Sequence, residues 1–295
     1  MQALFFYLTY PLIYLVASLP FYLLYLLSDC CYYLVRLTGY RRKVVLRNLR
    51  NSFPEKTEPE IQSMANNFYR YLCDLLLETL KTMRISETEL KKRCAFAKLE
   101  WLQKLYDKKR SLIVVMGHYG NWEWGGPAFS LLTPYTLLGA YKPLANRFFD
   151  KMLFGLRTRF GSHLVPAKKI LRRMIETRNS VTATALLADQ TPGSRDAHWM
   201  EFLHQDTPIF TGPEKLARKF NYPVVFMNIR RIKRGYYEVD TELLFENPAE
   251  TPEGEITETF TRRLEADIRE EPTYWLWSHK RWKHKRNQPK SKPVL

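Results

Sequence analysis

The sequence predicts an α/β fold, in which a mixed β-sheet is flanked by helices and preceded by an N-terminal membrane-anchoring helix. Short apolar runs typical of buried strands alternate with segments whose apolar residues recur at helical spacing. The first segment, residues 3–27, contains no charged side chain. A composition of 45% hydrophobic and 14% aromatic residues supplies the material for a core and excludes a disordered chain.

The N-terminal segment has the length and apolarity of a membrane anchor. About 20 apolar residues span the hydrocarbon core of a bilayer as a helix, and residues 3–27 show no polar face. The segment lacks the basic start and small-residue cleavage site of a signal peptide. Basic residues follow it, beginning at Arg36 and Arg41, and none precedes it. We therefore expect residues 1–40 to form a single-pass anchor with a basic flank, and residues 41–295 to form one cytoplasmic domain.

The remaining elements follow from hydrophobic periodicity. Residues 59–84 carry apolar side chains at helical spacing and predict an amphipathic helix. Apolar runs predict strands at 111–116, 181–188 and 223–229, and 236–244 predicts a further strand. Helical patterns at 151–160, 168–177, 213–220 and 256–270 lie between or after them. This alternation predicts a mixed sheet.

The net charge limits the kinds of molecule that the chain could bind, and the cysteine spacing limits the disulfide and zinc sites it could form. Lys plus Arg number 46 against 30 Asp plus Glu, giving a net charge of +16. Such a charge suits an acidic partner, which could be nucleic acid, anionic lipid or an acidic protein. The four cysteines show neither CxxC nor Cys/His spacing, so a disulfide scaffold or a zinc module is not expected.

The candidate catalytic residues follow the first predicted strand, where residues 117–126 read GHYGNWEWGG. Ligand sites in α/β sheets gather at the carboxyl ends of strands. His118 would lie in the turn and Glu123 in the first helical turn, from which its carboxylate could reach back to the imidazole. Glycine-rich backbone N–H groups could face an oxyanion. The alternative is a packing histidine and a glutamate favoured by the helix dipole.

Other candidates are less specific. Asp189 and Gln190 end the second strand at the same rim, although an ordinary Pro-Gly turn also explains them. Arg157 and Arg159 lie in a basic helical segment and suit phosphate groups, unless they form a solvated helix face. The chain has no nucleophile elbow, P-loop or dinucleotide fingerprint, and no cysteine lies near His118. The His/Glu pair would then activate a hydroxyl of the substrate itself.

Several ordered blocks resemble the late acyltransferases of lipid A biosynthesis, the lauroyl/myristoyl transferase family. The His-x4-Glu block at 117–126 is accompanied by RKVVLRNL from Arg42, FPE from Phe53, YKPLAN from Tyr141 with Asp150, Arg157, Arg159 and Gly161, ADQ from Ala188, TGP from Thr211 with LAR from Leu216, and PTYWLWSHKRWK from Pro272. The resemblance runs through nearly the whole chain.

The resemblance implies a glycerolipid-acyltransferase-like sheet and an O-acyltransferase at the cytoplasmic side of the cell inner membrane. Acyl carrier protein would supply the acyl-thioester, a lipid A precursor would supply the hydroxyl, and no metal or redox cofactor is implied. His118 would be the general base and Glu123 its orienting carboxylate. The implied substrate-binding residues are Asn121, Arg157, Arg159, Asp189 and Gln190.

The chain departs from the family pattern at two positions, with Lys142 where Arg is common and Arg147 where Pro is often seen. A lysophospholipid or another glycolipid is therefore an alternative acceptor. A membrane-tethered nucleic-acid-binding protein is an alternative of another class. Because the basic residues are spread along the chain and no RNP-like, KH or zinc pattern occurs, we expect no nucleic-acid partner. A third alternative is an inactive relative that only binds lipid.

Overall fold

The computed structural model describes residues 2–193 and 197–286, in which helices and strands alternate along most of the chain. The helices are α1 (Gln2–Ser18), α2 (Phe21–Thr38), α3 (Arg42–Ser52), α4 (Glu58–Lys81), α5 (Glu87–Arg93), α6 (Glu100–Asp107), α7 (Trp122–Leu132), α8 (Arg147–Thr158), α9 (Ile170–Glu176), α10 (Gly212–Phe220) and α11 (Glu255–Glu270). The strands are β1 (Cys94–Phe96), β2 (Leu112–Met116), β3 (Thr136–Tyr141), β4 (His163–Pro166), β5 (Thr182–Leu187), β6 (Ala197–Phe202), β7 (Gln205–Phe210), β8 (Val224–Lys233) and β9 (Tyr236–Phe245). Residues 194–196 and 287–295 of the predicted 41–295 domain lie outside the described residues.

The main sheet has seven strands in the order β1-β9-β8-β2-β5-β3-β4. All its neighbouring strands are parallel except β8 and β9, which pair antiparallel. The predicted mixed sheet is confirmed, and the four predicted strands correspond to β2, β5, β8 and β9. The sequence reading missed β1, β3 and β4 as well as the separate β6–β7 hairpin, because these strands are short or only partly buried and so lack a continuous apolar run.

Both faces of the sheet are covered, as the fully buried pattern of β2 requires. Ile113 and Val115 project into a core shared with α3, α4, α10 and α11. The alternate residues Leu112, Val114 and Met116 project into a second core, which includes residues of α5, α6 and α7. The carboxyl end of β2 therefore lies between two packed layers, and the turn that follows it is rigidly supported.

The predicted single anchor helix over residues 3–27 is not what the chain forms. Helix α1 ends at Ser18 and α2 begins at Phe21, with Pro20 as its N-cap residue. Proline has no N–H to donate and disfavours a helical conformation in the residue before it, so the apolar segment is divided. Within residues 2–193 and 197–286, no helix combines the length and the apolarity needed to cross a membrane.

Helix α2 packs on α4 through polar as well as apolar contacts. Tyr32 belongs to the main core, and the Ser28 hydroxyl donates to the Asp74 carboxylate over 2.6 Å. Arg234, in the β8–β9 turn, donates to both Asp29 and Asp74. These contacts join the predicted anchor region to the body of the protein.

Two neighbouring glycines of α7 allow a test of this packing. A Cβ at Gly125 would lie 2.4 Å from Cδ1 of buried Ile229, whereas one at Gly126 would meet only Leu137 Cδ2, at 3.7 Å. We expect Gly125→Ala to lower the free energy of unfolding by about 1–3 kcal/mol through overpacking. Gly126→Ala should leave it unchanged or raise it by up to about 1 kcal/mol, because alanine favours the helix. Equal effects in denaturant unfolding would contradict the close packing of α7 on β8.

Candidate active site

The candidate site lies where two neighbouring parallel strands end. Met116 of β2 pairs with Leu187 of β5, so the residues after each strand emerge side by side. His118 follows β2 and Asp189 follows β5. The prediction that these two segments share one rim of the sheet is confirmed.

Asp189 holds His118 through its backbone and its side chain. The Asp189 carboxylate lies 2.6 Å from Nδ1 of the imidazole and accepts the His118 backbone N–H at 2.8 Å. Trp275 donates its indole N–H to the same carboxylate, also at 2.8 Å. Burial alone would raise the pKa of Asp189, but the His118 charge and these hydrogen bonds outweigh it and lower the pKa to about 2. Whenever the imidazole is neutral, an ionised Asp189 therefore fixes its proton on Nδ1.

The other imidazole nitrogen is available for chemistry. With the proton on Nδ1, Nε2 of His118 is an acceptor, and it lies 3.1 Å from the side-chain amide nitrogen of Gln190. The ring packs edge-on against Trp122, with the centroids 5.2 Å apart. A hydroxyl that displaced the Gln190 amide would meet a nitrogen that is oriented to take its proton.

Glu123 has a different partner from the one expected. Its carboxylate accepts two hydrogen bonds from Arg157, at 2.8 Å from Nε and 2.6 Å from Nη2. This forked pairing suits a guanidinium and a carboxylate, and it joins the start of α7 to α8. The expected contact of Glu123 with the imidazole is therefore replaced, and the carboxylate that orients His118 is Asp189.

Arg159 and Asn121, which were also predicted to bind substrate, form their hydrogen bonds elsewhere in the protein. Arg159 donates to the carbonyl of Thr82, away from the Glu123–Arg157 pair. Asn121 is fully buried, and both of its polar groups are used within the protein. Its Oδ1 caps α7 by accepting the backbone N–H of Trp124, and its Nδ2 donates to Glu78. In this conformation neither Arg159 nor Asn121 points to the imidazole.

Glu78 is a supporting residue that the sequence reading missed. It is completely buried in α4, and its carboxylate accepts hydrogen bonds of 2.7–2.8 Å from Tyr25, Asn121 and Tyr237. Burial raises its pKa to about 7, although the tyrosine hydrogen bonds act in the opposite direction. The sequence did contain an indication that Glu78 is buried, because it lies seven residues after Tyr71 and so falls on the apolar face of its helix.

The turn at residues 117–121, which we call the catalytic turn, is held by the C-terminal segment at residues 274–276. Leu276 donates its N–H to the His118 carbonyl, and Gly120 donates its N–H to the Tyr274 carbonyl. Gly120 has φ of +58°, and a Cβ there would lie 1.9 Å from the Ile229 carbonyl oxygen. The N–H groups of His118 and Gly120 are thus engaged internally and are not directed at an oxyanion. Among the described residues, no group of three His, Cys, Asp or Glu side chains could hold a metal ion.

Comparison with known proteins agrees with the resemblance seen in the sequence. The family model for the bacterial lipid A biosynthesis acyltransferase matches residues 1–284. The chain is 25% identical over 279 residues to the lipid A biosynthesis lauroyltransferase of Escherichia coli K12, covering 92% of this chain and 89% of that one. It is 26% identical over 250 residues to a lipid A biosynthesis acyltransferase of Haemophilus influenzae, covering 83% and 78%. The palmitoleoyltransferase of E. coli K12 is 21% identical over 247 residues, covering 82% and 79%.

The roles of the Asp189 and Glu123 carboxylates can be distinguished by substituting each one and measuring the tautomer of His118. In Asp189→Asn, an amide NH₂ can face Nδ1 and favour the proton on Nε2, where it blocks general-base action. We expect turnover to fall by about 10²–10⁴-fold and nitrogen-15 spectra to show the changed tautomer. Glu123→Gln is the control, because it alters the Arg157 contact and should leave the tautomer as it is. A tautomer that changed in Glu123→Gln and not in Asp189→Asn would contradict this assignment.

Proposed function

This chain belongs to the bacterial lipid A biosynthesis acyltransferase family and is an acyltransferase, and we propose that it moves a fatty acyl chain from acyl carrier protein to a hydroxyl of a lipid A precursor. The observation that carries the proposal is the His118–Asp189 pair, with Nε2 of His118 directed away from the carboxylate. The similarity to the lauroyltransferase and palmitoleoyltransferase of lipid A biosynthesis supports a lipid A acceptor.

The proposed reaction is a direct transfer. Nε2 of His118 removes the proton of the acceptor hydroxyl as its oxygen attacks the thioester carbonyl, forming a C–O bond and a tetrahedral oxyanion. Asp189 stabilises the imidazolium that results. The intermediate collapses by breaking the C–S bond, and the imidazolium returns its proton to the departing thiolate. The products are an ester and a free thiol, and no covalent enzyme intermediate is needed.

We assign a binding role to the Glu123–Arg157 pair. Glu123 lies in the first turn of α7, directly after the catalytic turn, and holds Arg157 there. The Arg157 side chain remains about one-third exposed, so its cation can meet an anionic part of a substrate. Three groups carry or develop the negative charge that Arg157 could bind: the thioester oxygen during the reaction, the phosphate of the acyl donor and a phosphate of the acceptor.

We place the enzyme at the cytoplasmic face of the cell inner membrane. Helix α1 exposes large apolar side chains that a protein surface in water would normally bury, including Leu4, Leu8, Leu12 and Leu15 at 61–71%. The chain that follows α2 is basic and suits anionic headgroups, because each nearby Lys or Arg contributes about 1 kcal/mol. This arrangement supports a membrane-bound enzyme whose acceptor is a lipid.

The function is tested with purified enzyme, acylated carrier protein and either a lipid A precursor or a lysophospholipid. We expect acylation of the lipid A precursor, and a loss of about 10²–10⁴-fold in kcat for His118→Ala with unchanged thermal unfolding. His163→Ala is the matched control, because His163 is exposed at the edge strand β4. Wild-type turnover in His118→Ala would overturn the mechanism, and acylation of the lysophospholipid alone would replace the proposed acceptor.

The proposed acyl carrier protein donor predicts that the kinetics depend on salt concentration. With a net charge of +16, the enzyme should attract an acidic carrier over a distance that shrinks to about 8 Å at physiological ionic strength. We expect kcat/KM for the carrier-bound donor to fall steeply with added salt while kcat changes little. A short uncharged thioester donor should show a flatter dependence, and equal slopes would contradict steering.

Most of the basic residues that we expect to contribute to this steering are exposed. They include Lys168 and Lys169, and Lys280, Lys283, Lys285 and Arg286 of the basic stretch 280–286, whereas Arg281 is buried and donates to the Pro208 carbonyl. The charge reversal Lys168→Glu with Lys169→Glu should therefore mimic high salt. The same reversal at Lys91 and Lys92, which are exposed on α5, is the matched control for net charge.

A further inference from the structure

A groove of about 580 Å³ lies between α1 and α8, apart from the catalytic turn. We call it the α1–α8 groove, and its apolar lining includes Phe6, Tyr7, Tyr10, Phe148, Met152 and Gly155. Its volume is in the range of sites that hold small molecules, about 300–1,000 Å³. Neither His118 nor Glu123 lines it, although α8 also carries Arg157.

Gly155 lines this groove without a side chain. It lies inside α8, where glycine is less favourable than alanine by roughly 0.5–1 kcal/mol. No heavy atom lies within 4 Å of the position that its Cβ would occupy. Packing therefore does not require a glycine here, unlike Gly125 of α7, whose Cβ would strike Ile229. The empty space above Gly155 is the groove itself.

Aromatic rings join the two helices beside this space. Phe6 of α1 stacks on Phe148 at 5.7 Å between centroids and meets Phe149 edge-on at 5.1 Å. Phe5 and Leu8, next in sequence to the α1 residues that line the groove, are 60% and 71% exposed. Apolar side chains of α1 are therefore available to a hydrocarbon chain beside the groove.

The charges at the groove are all positive. Lys151 and Arg159 are its only charged lining residues within the described part of the chain; Lys151 lies in α8 and Arg159 is the C-cap residue of that helix. Arg84 lies close enough to Arg159 to lower the pKa of its guanidinium, after the larger effect of burial. Arg159 also donates to the Thr82 carbonyl, so Lys151 has the greater freedom to meet a ligand. Apolar walls with cations at the rim suit an amphiphile with an anionic head.

We propose that the α1–α8 groove binds an anionic membrane phospholipid, with one acyl chain over Gly155 and the phosphate at Lys151. The proposal rests on the proposed membrane location and not on the reaction. A bound chain would fill the space between α1 and α8 and so hold α8, whose Arg157 binds Glu123, against the N-terminal helix.

The probe is a phosphatidylglycerol analogue with a photoreactive group in one acyl chain, presented to the full-length enzyme in phosphatidylcholine vesicles. We expect its crosslinks to map to residues of α1 and α8. Gly155→Leu should reduce them by about tenfold or more, because the side chain fills the groove. Gly155→Ala is the matched control and should retain them. Thermal unfolding of both variants, which the open space predicts to be at least as stable as the wild type, shows that the fold is kept.

The anionic head is tested separately. Lys151→Glu should lower labelling by the phosphatidylglycerol probe and leave labelling by a phosphatidylcholine probe unchanged, while glycerol phosphate should not displace either. Labelling by Gly155→Leu at the wild-type level, or equal labelling of the wild type by both probes, would overturn the proposal. Stoichiometric displacement by a lipid A precursor would overturn it too, since the groove would then belong to the acceptor. His118→Ala should label normally, which separates failure of this proposal from failure of the proposed reaction.

Discussion

The buried carboxylate of Asp189 is the group on which the arrangement of the site depends. It accepts hydrogen bonds from the His118 backbone N–H and the Trp275 indole, and its other oxygen meets the imidazole. A buried charge is costly unless it is paired and hydrogen-bonded, so these donors must converge for the fold to be stable. Their convergence fixes the end of β2 against the end of β5 and brings the C-terminal segment over the turn. The contacts that set the tautomer of His118 are thus the same ones that hold the ends of β2 and β5 and the C-terminal segment together.

Glu78 extends this support to the N-terminal helices. Its single carboxylate joins Tyr25 of α2, Tyr237 of β9 and Asn121, which caps the helix that begins at the catalytic turn. Because all three donors meet inside the core, a displacement of α2 would leave a buried polar group without a partner. The N-terminal helices, which expose apolar residues at the surface, are therefore joined to the catalytic turn through buried hydrogen bonds and do not form an independent unit.

The parts of the fold and site that follow from local pattern were predictable, and those that depend on distant partners were not. The strands β2, β5 and β8 contain apolar runs and β9 alternates buried with partly exposed residues, and the rule for parallel strands brings His118 and Asp189 together. The partner of Glu123 could not be read from spacing, because Arg157 arrives from another helix 34 residues away. The anchor prediction treated residues 3–27 as one membrane segment that its prolines could bend, whereas the chain forms two helices separated at Pro20.

The separation of the two carboxylates has a chemical consequence. If Glu123 also contacted His118, two negative charges would stabilise the imidazolium and oppose the return of its proton to the departing thiolate. The observed arrangement places Asp189 beside the imidazole of His118 and Glu123 beside the guanidinium of Arg157. In the proposed reaction, one carboxylate is enough to stabilise the imidazolium while it holds the proton. The second carboxylate is then free to bind Arg157, so the two residues of the motif, five positions apart, have separate partners.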